Sequence, residues 1–293
     1  MTRPRHQVVE PISASLSDAV AATMGVYRPH QATLIEPAQK SPLRYPGGKT
    51  RAVKEIIQYF PQGLTRVASP FLGGGSIELE LAHRGIQVYA YDIFKPLTTF
   101  WQELLSEPHK LATLVRKYYP LTSSKFYSLQ LGFGDIKDKR EMAAVFFVLN
   151  RASFSGTTLS GGMSPGHTRF TRAIIERLDN FTAPNLHVAN ADFHVSLAKH
   201  SNDFLYLDPP YANGDGKEGL YGIKGDTHED FDHEGLAAIL NKRDGWILSY
   251  NDKPKVRNWY KGHKMLMPSW AYGMNSDKKS NELLIFSNDF IEV

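Results

Sequence analysis

Phe204-Leu205-Tyr206-Leu207-Asp208-Pro209-Pro210-Tyr211 is the stretch that decides how this chain is read. Apolar residues at 204, 205 and 207 predict a buried strand that runs straight into a carboxylate, two prolines and an aromatic ring. Proline fixes φ and has no N–H, so a strand ladder must stop at Pro209-Pro210. The chain then forms a rigid corner at the carboxyl end of a strand, where α/β sheets bind ligands. Asp208 offers an acceptor there, Tyr211 a flat stacking surface, and the corner leaves carbonyl oxygens that no helix claims. An exocyclic amine on a planar base needs that set of partners. The plainer alternative is an ordinary strand end in a turn.

Upstream, Arg66 to Ser69, Pro70-Phe71-Leu72-Gly73-Gly74-Gly75-Ser76 and Ile77 to Ala82 read as strand, glycine turn and helix, the opening of a βαβ unit. Gly85 ends the helix and Gln87 to Asp92 is the next strand. Asp92 lies about 20 residues past the glycine turn, where dinucleotide folds place a ribose-binding carboxylate. Before this unit, Pro46-Gly47-Gly48-Lys49 turns sharply, and a helix is expected from Thr50, with Val53, Ile56, Ile57 and Phe60 at helical spacing and Pro61 closing it.

Downstream, Leu186 to Asn190 is a strand ending at Asp192-Phe193. Asp232 or a neighbour caps a helix through Leu236 and Leu240, Trp246 to Tyr250 is a further strand, and Leu283 to Phe286 is the last, paired with a strand near Met265 to Trp270. Between the two βα stretches the texture changes. Phe100 to Leu105, Leu111 to Val115, Glu141 to Leu149 and Thr171 to Leu178 predict helices. A polar, glycine-rich loop from Asn150 to Phe170 carries Arg151, His167 and Arg169, with Arg172 just after it. A loop of that length is uncommon in a compact domain unless it has a function or is disordered. The expected organisation is a flexible tail over 1–40 (with a short helix over Ser15 to Met24), one domain from 41–95 and 185–293, and an inserted, mainly helical subdomain over 96–184.

At 293 residues with 42% hydrophobic content, the chain can bury a sizeable core. No apolar run reaches the roughly 20 residues that span a bilayer, and the N-terminus lacks a secretory pattern, so a cytoplasmic protein without membrane partners is expected. With 0 cysteines there are no disulfides, thiolate metal sites or cysteine nucleophiles. The 11 histidines form no metal-ligand pattern, and no metal is expected. A net charge of +4 permits a polyanion partner without demanding one. Lys253, Lys255, Arg257, Lys261 and Lys264 make a basic stretch that suits DNA or open solvent.

Three strand ends therefore aim chemistry at one rim: the glycine turn, Asp92 and Asp208. Gly73-Gly74-Gly75 does not meet the nicotinamide-dinucleotide spacing, and Lys49-Thr50 lacks the first glycine of an NTP-binding phosphate loop. A cofactor with adenosine but no pyrophosphate fits better, and S-adenosylmethionine is the obvious one.

From about residue 41 onward the chain resembles the D12-class, Dam-like DNA adenine-N6 methyltransferases. The resemblance is carried by Arg44-Tyr45-Pro46-Gly47-Gly48-Lys49, Phe71 to Ser76, Tyr91-Asp92, Asn150-Arg151, Asp192-Phe193, Asp208-Pro209-Pro210-Tyr211 and Lys279-Ser280-Asn281-Glu282-Leu283-Leu284, and by their order. It implies a Rossmann-like methyltransferase sheet, mostly parallel with an antiparallel C-terminal strand, and a helical insert that recognises the target. It implies S-adenosylmethionine contacts at Tyr45, Lys49, Phe71, Gly73, Gly75 and Ser76, with Asp92 on the ribose, Asp192 and Phe193 flanking the adenine, and Asp208 where donor meets acceptor. Asp208, the Pro209 carbonyl and Tyr211 would serve catalysis on a flipped adenine in double-stranded DNA. Arg44, Asn150, Arg151 and Arg169 would contact the DNA. A monomer is expected, and a restriction endonuclease beside it is compatible but not legible.

Phe154-Ser155-Gly156 and Ser164-Pro165-Gly166-His167 depart from the family's Phe-Asn-Gly and Pro-x-Gly elements, and Tyr45 and Gly75 differ from its commonest members, which bears on the target sequence. Competing readings are methylation of cytosine N4, of an amide or amine in protein or RNA, and a DNA-binding relic without activity. Ser is commoner than Asp at 208 in the first class and Asn in the second. A relic would show a decayed corner or turn.

Overall fold

The computed structural model describes residues 38–165, 169–212, 231–268 and 282–290, all within one compact unit. Residues 1–37, which include most of the expected 1–40 tail and its short helix, lie outside the described residues, as do 166–168, 213–230, 269–281 and 291–293.

A short helix α1 (Val53–Ile57) leads to β1 (Arg66–Ser69), α2 (Ser76–His83) and β2 (Gln87–Asp92). The helical stretch comes next as α3 (Lys95–Ser106), α4 (Pro108–Arg116), α5 (Ser123–Leu131), α6 (Lys139–Ala152) and α7 (Arg172–Asp179). Then come β3 (Leu186–Asn190), α8 (Phe193–Lys199), β4 (Phe204–Leu207), α9 (His233–Leu240), β5 (Trp246–Asn251), α10 (Pro254–Trp259), β6 (Lys264–Leu266) and β7 (Glu282–Phe286). The seven strands lie in the order β3-β2-β1-β4-β5-β7-β6. The first five are parallel, and β7 runs antiparallel between β5 and β6. This is the expected Rossmann-like α/β class, with its order reversing between β1 and β4, the switch point at which such sheets bind ligands.

The period-2 alternation of each strand feeds two cores. Val67, Val88, Ala90, Tyr206, Ile247 and Leu284 face one layer, packed with side chains of α1 to α7. Ala68, Leu205, Leu207, Leu248, Leu283 and Ile285 face the other, packed against α8, α9 and α10. The helical stretch at 96–184 therefore shares one core with the sheet. Phe100, Trp101 and Leu104 of α3 and Phe146, Phe147 and Leu149 of α6 are fully buried in it, and the rings of Phe100 and Phe147 stack at 5.4 Å.

Local signals explain most boundaries. Thr122, Asp138, Thr171, Asp192 and Asp232 each accept a backbone N–H at the start of their helices. The helix expected from Thr50 begins only at Val53, because the chain is still turning through Lys49 and Ala52. Among the described residues, no helix is long and apolar enough to cross a membrane, and no cluster of His, Asp and Glu could hold a metal ion.

Candidate active site

The site is assembled where β2, β1 and β4 end side by side. After β1 the chain turns through Gly73 (φ +48°) and Gly75 (φ +68°), left-handed conformations that favour glycine. Tyr45 explains why side chains are excluded there. A Cβ at Gly73 would lie 3.0 Å from its ring, and one at Gly74 would lie 2.9 Å from its own Cβ. The Gly73 carbonyl accepts from the buried Trp101 indole at 3.2 Å, and Ser76 Oγ lies 3.0 Å from Thr50 Oγ1. The turn is thus gripped from both sides.

At the end of β2, Asp92 accepts from the Gly73 N–H at 3.0 Å and the Phe94 N–H at 2.9 Å. Burial pushes this carboxyl up to about 6 despite those bonds. The two carboxylate oxygens keep acceptor capacity beyond their backbone donors. Beyond β3, Asp192 caps α8 through the His194 N–H at 2.8 Å. Phe193, Phe71 and Phe231 form an aromatic group with ring centroids 5.2 to 5.9 Å apart.

Beyond β4, Asp208 meets Lys49. The Lys49 ammonium, whose side chain is 2% exposed, donates to Asp208 Oδ1 at 2.7 Å and Oδ2 at 2.8 Å and to the Tyr211 hydroxyl at 2.9 Å. Tyr211 in turn donates to Glu282 Oε1, which lies 3.7 Å from the same ammonium. The ammonium is 5.2 Å from the Tyr211 ring centroid. With a 2.9 Å hydroxyl contact, that distance places it at the ring's edge, not over its face. The Tyr211 ring parallels Tyr250 at 6.1 Å and 24°. Burial pushes Asp208 up to about 6; Lys49 opposes the rise and Glu282 adds to it. Behind this group, Glu78 of α2 is buried, accepts from Ser69 Oγ at 2.6 Å, and is pushed up to about 7 by burial.

The corner itself is clamped. Asn251, the last residue of β5, accepts the Ala212 N–H and donates to the Ala212 carbonyl, both at 3.1 Å. Pro209 is buried.

The residues expected at the DNA divide. Asn150 is fully buried, and its amide is taken up by Arg44, accepting from the N–H and donating to the carbonyl, each at 2.8 Å. It also donates to Thr158 Oγ1 at 3.1 Å. Asn150 thus has no exposed surface in this structure and holds the backbone of Arg44 in place. Arg151 donates to the carbonyls of Pro42 and Arg169, and burial with its arginine neighbours brings it down to about 10. Arg169 is exposed. Arg44 donates to the Ser153 carbonyl at 2.9 Å. Burial and Arg169 both lower its pKa.

Of the sequence-predicted residues, Tyr45, Gly73, Gly75, Ser76 and Asp92 thus form one cluster, Phe71 and Phe193 an aromatic plate, and Lys49, Asp208 and Tyr211 a third group. Arg44, Arg151 and Arg169 form the fourth. Glu282, Glu78, Asn251, Phe231 and Trp101 were assigned no role from the sequence. Glu282 sits in the Ser280-Asn281-Glu282-Leu283 element, the one signal that could have marked it.

The model of the D12 class N6 adenine-specific DNA methyltransferases matches residues 45–274. The chain is 24% identical over 244 residues to the DNA N-6-adenine-methyltransferase of Escherichia phage P1, covering 77% of this chain and 32% of that protein. It is 23% identical over 241 residues to the type II methyltransferase M1.LlaDCHI of Lactococcus lactis subsp. cremoris, covering 74% and 83%. It is 25% identical over 272 residues to the modification methylase StsI of Streptococcus sanguinis, covering 80% and 38%. The chain thus spans about a third of the length of the phage P1 relative.

Proposed function

Because the chain belongs to the D12 class N6 adenine-specific DNA methyltransferase family, we propose that it methylates the N6 amine of adenine in double-stranded DNA at a specific sequence, using S-adenosylmethionine. The observation that carries the reading is the convergence of three strand ends at the switch point. The glycine turn, Asp92 and Asp208 lie on adjacent strands, with Lys49 bonded to the last of them.

The donor and acceptor set fits that cofactor. Gly73 and Gly74 let the Tyr45 side chain pack directly against the backbone of the turn. Asp92 is an acceptor held at a fixed angle by two backbone N–H groups. Phe71 and Phe193 supply aromatic surface next to Asp192. Tyr45, Lys49, the 71–76 turn, Asp92, Asp192 and Phe193 would hold the cofactor, which when bound supplies an electrophilic methyl group on a sulfonium.

The chain's own residues supply positioning and electrostatics. The amine of adenine is a weak nucleophile because its lone pair is delocalised into the ring. Asp208 and the Pro209 carbonyl, as acceptors, favour a tetrahedral nitrogen with a localised lone pair and stabilise the positive charge that develops on it. Asp208 therefore needs to be ionised but not strongly basic. An amine inside a duplex is out of reach, so the base must leave the stack, and Tyr211, backed by Tyr250, offers it a ring. Arg44, Arg151 and Arg169 would meet the phosphates, the 96–184 stretch would select the sequence, and a monomer would suffice. A cytoplasmic location suits this reading.

The test is incubation of the full chain with unmethylated plasmid DNA and methyl-labelled S-adenosylmethionine, with nucleoside analysis of the product. N6-methyladenine is the expected mark. N4-methylcytosine, or label in RNA or protein but not in DNA, would overturn the reading.

A further inference from the structure

Lys49 occupies the carboxylate that the proposed reaction gives to the acceptor amine. It is a nitrogen donor, and it bridges both carboxylate oxygens almost symmetrically, at 2.7 and 2.8 Å. A charge-assisted bond of this kind is stronger than one from a neutral amine. A base arriving at Asp208 would therefore meet a partner it cannot outbid, unless the ammonium has somewhere else to go.

The structure provides that place. Glu282 is buried, 5% exposed, with Oε1 3.7 Å from the ammonium, inside ion-pair range but beyond hydrogen-bond length. Between them stands the Tyr211 hydroxyl, which accepts from Lys49 at 2.9 Å and donates to Glu282. A shift of about 1 Å would bring the ammonium to hydrogen-bond distance from Glu282 while the hydroxyl contact is kept. A simple buried ion pair needs one acid per ammonium, and a second buried carboxylate beside it adds repulsion with Asp208. Here the second acid keeps the ammonium compensated when it leaves the first.

We propose that the Lys49 ammonium is an internal stand-in for the acceptor amine, holding both oxygens of Asp208 until the base enters and then withdrawing onto Glu282. Glu282 is by this account a positioning residue, acting through Lys49. The proposal rests on the reading of Asp208 as the amine's acceptor.

The test uses the full chain, unmethylated plasmid DNA and saturating S-adenosylmethionine, and reads single-turnover methylation together with cofactor affinity. Glu282→Gln should slow methylation about tenfold or more, with cofactor affinity within about twofold of the wild type. Adding Lys49→Met to Glu282→Gln should raise the single-turnover rate at least about threefold above that of Glu282→Gln, because no ammonium is left to withdraw, while cofactor affinity falls with the loss of the lysine's own contact. Lys49→Arg, whose planar fork grips a carboxylate through two parallel bonds, should be slower than Lys49→Met. A purely structural role for Lys49 predicts the opposite order. A Glu282→Gln rate within twofold of wild type, a double variant no faster than Glu282→Gln, or Lys49→Arg at least as fast as Lys49→Met would overturn the proposal. Wild-type protein that leaves no N6-methyladenine defeats the underlying reading itself, and the stand-in with it.

Discussion

At the scale of single residues, the site depends on acids held above their ordinary range by burial. On the proposed function Asp208, at about 6, must be ionised to accept from an amine, so the rate of methylation should fall as pH drops through about 6, by roughly tenfold per unit well below it. A rate that stays flat from pH 7 to 5 would rule out that role. Asp208→Ala should cut the rate by at least about a hundredfold, while calorimetry still registers cofactor binding, since Glu282 remains to pair Lys49. Glu78 makes a separate prediction about stability. Its pKa is higher in the folded chain than in the unfolded one, so its ionisation weakens the fold above about pH 7, and the burden disappears as pH falls through 7 toward its ordinary value. Glu78→Gln keeps an acceptor for Ser69 and should stabilise the protein by up to about 3 kcal/mol at pH 8. Denaturant titrations at pH 8 and pH 4 should show the gain at the first and none at the second.

At the scale of elements, the strands, glycine turn and proline corner were legible because each is punctuated locally. Alternation, a Gly run and Asp-Pro-Pro leave few other readings. The clamps were not legible. Asn150 and Arg44 are 106 residues apart, Tyr211 and Glu282 71, and nothing in the pattern around Asn150 shows that its amide turns inward. Its position at the end of α6, next to Arg151, resembled a binding surface because exposure cannot be read from residue type alone. Asn150→Ala should strand the N–H and carbonyl of Arg44 and cost about 2 kcal/mol or more. Chemical denaturation checks that figure. DNA affinity should fall with it, since Arg44 loses its hold. A fully stable variant with weakened DNA binding would instead restore a direct contact between Asn150 and DNA. The helical stretch was legible as helices but not as part of the sheet's own core, because shared burial is a property of the fold.

At the scale of the whole molecule, charge is modest overall yet gathered. The charges acting on Arg151 are those of Arg44, Arg177 and Arg169, so a net +4 understates the local field. Arg169→Ala should weaken binding to DNA of any sequence and reduce the slope of log affinity against log salt by about one. A sequence-dependent loss would instead mark Arg169 as a reader of bases. The sheet order carries a further consequence. Val67 of β1 pairs with Phe204 of β4, so the centre of the sheet joins segments made far apart in the chain. Loop closure over such distances is slow and cooperative. Bringing the glycine turn alongside Asp208 requires that pairing, so catalysis should return in the slowest phase of refolding, after most helical signal has recovered. On the proposed function, the sheet's topology makes activity a report that the fold is finished.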